Sequence, residues 1–411
     1  MSSTRRHNNR TKCIPSLPDG PVANILSFLT WNDAVQSCSR VSKIWYKLLC
    51  CTNHLTLVIP HIIRNTKTSC NVTCTTHCTT QQQHAVWKEN KQVQQFARSM
   101  FAYTASRFSR DAANNVTRLD IRFEEGHKYQ IEDVVLAEFL SHFPRLKSFV
   151  YNGTQELSER RRGWKINVAF DPIAVHMPNL EQLIIRGAPF QTIQNDAVFG
   201  ISCVENLIHL LRNKSQLKVL KLTRLFAFMV NPGNGTSISH CLGQLRNLKE
   251  LVILPVFSNF WSEVDANVIF AGLIRLQRLE LYEPTDETLW AMAKHCSALQ
   301  VLKISLRKHI NVSQFRGESH IDVDAILAVL QKCPVRILHF CNWTSEILDI
   351  SLLKKMAMAC NTLEELKIGV ESDTAADTAA GNKAIAQTEM DAVCNGRVQV
   401  FIAQQLIIKC D

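Results

Sequence analysis

Four soft metal ligands crowd into nine residues where Cys70, Cys74, His77 and Cys78 read C-x3-C-x2-H-C. Thiolate and imidazole are the ligands zinc takes, but they must converge as a tetrahedron, and four so close in sequence rarely close that cage unaided. His61 and His84 stand near enough to contribute. Thr- and Gln-rich sequence surrounds the group, so it reads as a solvated loop with incidental cysteines, and no metal is expected. Other chemistry is missing too. No cysteine sits in a Cys/His context with a Gly-rich oxyanion loop. No phosphate-cradling glycine loop, His-Glu-x-x-His or Gly-x-Ser-x-Gly occurs. The expectation is a non-enzymatic chain with no catalytic residue and no cofactor.

Bulk properties narrow the class. The chain has 411 residues, 46% of them hydrophobic, which is ordinary for folded protein. Its 15 cysteines are odd in number and lie in apolar contexts such as Ala359-Cys360, which fits free, buried thiols in a reducing compartment. The opening MSSTRRHNNRTK is charged and lacks an apolar core, so no signal peptide is expected. No apolar run approaches the roughly 18 residues of a membrane span. The net charge of +10 is moderate and its basic residues are spread out, which suits an acidic or phosphorylated protein partner rather than nucleic acid. The expected location is therefore cytoplasmic, with no membrane partner. Arg160-Arg161-Arg162 with Lys165 is a local basic cluster, read first as a solvated loop and second as a nuclear address or an acidic-peptide contact.

The elements must supply what local chemistry does not. Near the start, Val22, Ile25, Leu26 and Leu29 fall on one face of a helix that Pro21 can open. A second stripe runs Ala34, Cys38, Val41, Trp45 and Leu48, with Asp33 placed to cap it. Such short helices cannot bury enough surface to stand alone, so they need either the following domain or a partner. Leu17-Pro18-Asp19, Ile25-Leu26-Ser27-Phe28-Leu29, Asp33, Cys38, Val41-Ser42-Lys43 and Trp45 resemble the F-box motif in order and spacing. Gly20-Pro21 replaces its usual Glu-apolar pair. The resemblance implies docking on a Skp-type adaptor, and through it on cullin, by Leu17, Pro18, Ile25, Leu26, Leu29, Val41 and Trp45.

Beyond residue 110 a pattern L-x-x-L-x-L/I recurs. Its instances are Val116-Leu119-Ile121, Leu146-Phe149-Tyr151, Leu180-Leu183-Ile185, Leu217-Leu220-Leu222, Leu248-Leu251-Ile253, Leu276-Leu279-Leu281, Leu299-Leu302-Ile304, Val335-Leu338-Phe340 and Leu363-Leu366-Ile368, spaced 23 to 37 residues apart. Alternation at the end of each unit predicts a short strand with one buried face, and helical segments such as 133–143, 287–295, 323–330 and 352–359 precede the turns. This resembles a leucine-rich-repeat array, an α/β solenoid (horseshoe) in which neighbouring units complete each other's core. The competing reading, a doubly wound α/β sheet, leaves the fixed leucine offsets unexplained.

The chain thus divides into a tail (1–13), a small all-α F-box unit (14–52), a linker with a Thr/Gln/Cys-rich insertion and a first irregular repeat (53–109), the repeat array (110–370), and a polar loop with a capping strand (371–411). For that first repeat the predicted strand is Leu55-Leu57-Ile59, and the helix stripe is Val93, Phe96, Met100 and Tyr103; the capping strand is Val398, Val400 and Ile402. Alternation puts Arg118, Arg122, Arg186, Lys221, Arg278, Tyr282, Lys303 and Lys367 on the concave face, with Asp120, Gln182, Thr223 and Glu280; Glu250 and Glu365 dilute the positive bias. The resemblance implies a substrate receptor of an SCF-type (Skp–cullin–F-box) ubiquitin ligase, which presents a target for ubiquitination and proteasomal degradation. The alternative is an F-box/leucine-rich-repeat scaffold that binds partners without ubiquitin transfer.

Overall fold

The computed structural model describes residues 53–59, 95, 97–106, 108, 110–123, 133–152, 170–186, 207–225, 238–255, 263–282, 284–305, 322–344, 350–371 and 398–404. The segment 14–52 predicted as an F-box, with the residues expected to bind an adaptor, the Cys70–Cys78 cluster and the Arg160–Arg162 cluster lie outside them.

Each of the nine recurring leucine patterns produces one strand, and the expected first and capping strands make eleven among the described residues. They are β1 (His54–Ile59), β2 (Arg118–Phe123), β3 (Ser148–Asn152), β4 (Gln182–Arg186), β5 (Val219–Leu225), β6 (Glu250–Pro255), β7 (Arg278–Tyr282), β8 (Val301–Ser305), β9 (Ile337–Thr344), β10 (Glu365–Glu371) and β11 (Gln399–Gln404). All pair in parallel, and spatial order equals chain order from β1 to β11. A doubly wound sheet would reverse direction at a switch point. The uninterrupted order is that of a solenoid.

Helices return the chain between strands: α1 (97–106), α2 (Arg110–Asn115), α3 (Asp133–Ser141), α4 (Phe170–His176), α5 (207–212), α6 (Ile238–Gly243), α7 (Glu263–Gly272), α8 (Asp286–His295), α9 (Val323–Lys332) and α10 (Ile350–Ala359). Consecutive helices from α6 to α10 pack side by side, as do α3 and α4. The core fills the space between the helix layer and one face of the sheet. Its residues include Leu119, Phe149, Leu183, Leu220, Leu251, Leu279, Leu302, Leu338 and Leu366, one per strand and all buried.

The helix α1 departs from the expected stripe. Ala97, Met100, Phe101, Thr104 and Ala105 face inward, whereas Tyr103 is exposed. Val93 and Phe96 lie outside the described residues. Phe101 stacks on Phe139 of α3 with ring centroids 4.5 Å apart, and Phe139 meets Phe143 edge-on at 5.0 Å. This aromatic contact fixes which face of α1 turns in.

A tight turn joins helix to strand and in seven units carries the same hydrogen bond: Leu146 N–H to Phe143 O, Leu180 to Met177, Leu217 to Lys214, Leu248 to Leu245, Leu276 to Leu273, Leu299 to Cys296 and Leu363 to Cys360; before β9 the turn is one residue shorter, with Val335 N–H bonded to Cys333 O. The accepting residue fills a buried slot. Phe143, Met177, Leu245, Leu273, Cys296 and Cys360 suit it, yet one unit places Lys214 there at 2% exposure. Its Nζ donates to Ala174 O at 2.9 Å and to Met177 O at 2.8 Å, both at the end of α4. In the last units the slot holds thiols that reach back in a similar way. Cys333 Sγ lies 3.8 Å from Met292 O, and Cys360 Sγ 3.1 Å from Val335 O. Burial pushes the Cys333 thiol up to about 11, assisted by Cys360, so it stays protonated and unreactive.

Between α6 and α7 the two backbones come into direct contact. A Cβ at Gly243 would sit 2.5 Å from Val268 O, and one at Gly272 would overlap Gly243 O. Ser239, buried on α6, donates to Asp265 Oδ1 of α7 at 2.5 Å. Only the absence of side chains at these glycines lets the two backbones touch.

Candidate functional site: the strand-lined face

The face of the sheet away from the helices is built by alternation. Positions whose neighbours point into the core must point out. Register fixes what stands beside what. One row crosses the sheet through Thr56, Asp120, Val150, Ile184, Lys221, Val252, Glu280, Lys303, His339, Lys367 and Phe401. A parallel row, two residues toward the strand ends, holds Arg122, Asn152, Arg186 and Thr223. The predicted residues Arg118, Arg122, Arg186, Lys221, Arg278, Tyr282, Lys303 and Lys367 all belong to this face by parity.

They do not form the open band of positive charge that their types suggest. Most of these cations have an acid beside them. Asp120, with 1% side-chain exposure, holds Arg122 Nη2 at 2.8 Å and also receives Asn152 Nδ2 at 3.4 Å. Glu250 stands between two cations, with Lys221 Nζ at 2.9 Å and Arg278 Nε at 3.4 Å. Glu280 faces Lys303 at 3.5 Å. Glu365 takes Lys367 at 2.5 Å and His339 Nε2 at 3.1 Å. Lys367 also lies 5.3 Å over the Phe401 ring, within cation–π range.

These neighbours shift the titrating groups. Burial lowers the His339 imidazole; its hydrogen bond to Glu365 opposes this, and Lys367 and Lys303 add to it. For Glu365, burial pushes the carboxyl upward, but Lys367 and His339 together outweigh it and the net shift is down. At the other end of the sheet, burial and then Arg118 hold His54 below its ordinary value.

Two predicted residues, Arg118 and Arg186, have no carboxylate partner among the described residues. Arg118 is exposed at the start of β2. Arg186 is half-buried at the end of β4, between Asn152 and Thr223 in register. Near it the face turns apolar: Val150 and Ile184 oppose each other directly, and both are buried. Tyr282 is half-buried beside Ser305 in register.

Sequence reasoning missed Asn152, His54 and His339, and it missed the pairing. Aligning the units on their leucines sets Glu250 beside Arg278 and one step from Lys221, so that part was readable once register was imposed. Among the described residues no cluster of three or more His, Cys, Asp or Glu could hold a metal, and no helix is long and apolar enough to cross a membrane.

No family model matches the chain. Solved structures similar to it include the leucine-rich repeat-containing protein LegL7 from Legionella pneumophila, at 14% identity and a TM-score of 0.39, over 71% of this chain and 84% of that one. A TLR13–ssRNA13 complex matches at 14% identity and a TM-score of 0.36, over 63% of this chain. Only 30% of the TLR13 chain is covered by that match.

Proposed function

We propose that the chain is a non-catalytic substrate receptor of an SCF-type ubiquitin ligase. The F-box segment holds a Skp-type adaptor and, through it, cullin. The strand-lined face of the solenoid holds a target protein, and ubiquitin transfer follows from proximity rather than from chemistry on this chain. The observation that carries the reading is the match of residues 16–49 to the F-box motif in order and spacing, followed by a solenoid. The solenoid supports it physically, because parallel strands in sequential order lay out a broad polar surface suited to another protein.

The test is co-purification of the full chain with adaptor and cullin from a cytosolic lysate. Both should be recovered. Replacing Leu17 and Pro18 by Ala should weaken adaptor binding by about 2–4 kcal/mol, the range of interface hot spots. Undiminished adaptor recovery by that double variant removes the F-box reading. Recovery of adaptor without cullin, or of a target that is never ubiquitinated, favours a scaffold instead.

A further inference from the structure

We propose that Arg186 and Thr223 form a carboxylate-binding subsite on the strand-lined face, one that takes an Asp or Glu side chain of a partner protein. This rests on the reading of that face as the target-binding surface and gives it a specific anchor. Three neighbouring strands bring the groups together. Asn152 ends β3 and Arg186 ends β4, while Thr223 holds the same register on β5. Paired strands lie about 5 Å apart, so one small ligand can reach all three residues.

Charge and burial together single out Arg186, because Arg118, the other cation of this face without a carboxylate partner among the described residues, is exposed. Arg122, Lys221, Arg278, Lys303 and Lys367 each have a carboxylate within 3.5 Å. Arg186 has none among the described residues, although it is half-buried and belongs to the same face. A guanidinium is a planar fork that fits a carboxylate with two parallel hydrogen bonds.

The second observation is independent of charge. Thr223 is 5% exposed, and its hydroxyl has no hydrogen-bond partner among the described residues. Buried hydroxyls normally have one, and a ligand oxygen seated on Arg186 would supply it. Asn152 completes the set. It turns its amide nitrogen to Asp120, 3.4 Å away, and leaves Oδ1 without a hydrogen-bond partner among the described residues. That oxygen can accept a backbone N–H. A site with a cation, a free hydroxyl and a free carbonyl matches an acidic residue within a peptide, which brings both a carboxylate and an N–H.

The floor and the neighbourhood set the ligand's charge. Val150 and Ile184 lie two residues earlier on β3 and β4 and are buried, so water is scarce and the ion pair is strengthened. Asp120 stands in the same corner with its charge matched by Arg122. One unpaired cation therefore balances a single negative charge. A phosphate dianion would bring an excess.

The test uses the full chain and three fluorescent mixtures of random nine-residue peptides whose central residue is fixed as Glu, Gln or phosphoserine. Wild type should bind the Glu mixture about tenfold more tightly than the Gln mixture, and more tightly than the phosphoserine mixture. Arg186→Gln should abolish the preference, Arg186→Lys should leave part of it, and Thr223→Val should reduce it. Lys332→Gln, which removes one charge from the helical side, should change nothing. Equal capture of Glu and Gln mixtures by wild type overturns the proposal, as does a preference that survives in Arg186→Gln. Tighter capture of phosphoserine overturns the assignment to a carboxylate. Melting curves matching wild type exclude unfolding as the cause of a loss, and the Arg186→Lys variant guards against the same error. Adaptor recovery is scored separately. A chain that binds adaptor but shows no Glu preference sinks only this subsite, and one with an Arg186-dependent preference but no adaptor sinks only the ligase reading.

Discussion

The Nζ of Lys214 donates to the carbonyl oxygen of Ala174 because the residue four places after Ala174 is Pro178, which has no N–H to give. The end of α4 is therefore completed by the next unit. Burial lowers the Lys214 ammonium from its ordinary value, yet lysine keeps N–H donors in either protonation state. Replacement by Met preserves much of the volume but orphans the Ala174 carbonyl and leaves Met177 O with only the Leu180 N–H. Bonds from charged donors are worth about 1.5–3 kcal/mol, so Lys214→Met should lose roughly 2 kcal/mol in urea unfolding. Lys214→Ala should lose more, because a cavity is added. A Met variant as stable as wild type would show that the cap contributes nothing.

Gly272→Ala should be among the most damaging single changes in the helix layer. Its Cβ would overlap the Gly243 carbonyl, a backbone atom that cannot rotate aside. Overpacking of this kind costs about 1–3 kcal/mol or more. In an open helix position the same change would stabilise by up to about 1 kcal/mol. Thermal unfolding decides between the two signs, and a gain in Tm refutes the contact.

Charge exchange tests the ladder on the strand-lined face. Lys221→Glu sets two acids together, and Glu250→Lys sets three cations together; each should destabilise. The double exchange rebuilds the pair and should recover stability, with a coupling of about 1 kcal/mol. The recovery should be partial, because the lysine introduced in place of Glu250 would still face Arg278. Since Lys221 and Glu250 are mostly shielded from water, high salt should diminish the coupling only modestly. Strict additivity of the two changes is the contrary result.

Mild acid should weaken the fold. The folded-state pKa of His339 lies below 6.5, so the unfolded chain takes up this proton first as pH falls. Stability from this group is complete above pH 6.5 and is lost as pH drops below it. The loss ends at the lower folded pKa. The limit is about 1.4 kcal/mol per pH unit for one group. His54 and His295 shift in the same direction and add to the slope. Urea midpoints between neutral pH and about pH 5.5 should fall in wild type and fall less in His339→Gln. Identical slopes would remove His339 from the explanation.

The strands were legible because leucine at fixed offsets marks one buried side chain per turn and two per strand. Even β1 and β11 appear where Leu55-Leu57 and Val398-Val400 alternate. The faces of the helices were harder to read. The inward stripe of α1 contains Ala97, Thr104 and Ala105, whose weak signals were outweighed by Tyr103 on the wrong side. Lys214 was invisible as a core residue, because its burial depends on carbonyls at the end of a helix in another unit. The candidate site was legible as a list and not as a pattern. Alternation gives the face of each residue, whereas pairing such as Lys221–Glu250–Arg278 exists only across units in register.

Sequential strand order has a consequence for how the chain assembles. Each strand needs only its chain neighbour, so loop closure sets the cost of adding a unit. Between β1 and β2 the chain must close from Asn53 to Thr117, 64 residues apart, while β7 to β8 is the shortest crossover. With closure entropy growing as the logarithm of length, that difference amounts to roughly 0.9 kcal/mol. Growth should therefore start among the short crossovers of β6 to β8 and reach β1 late. The same edge should be first to exchange its amide hydrogens, so the first unit of the array joins and leaves the sheet most readily.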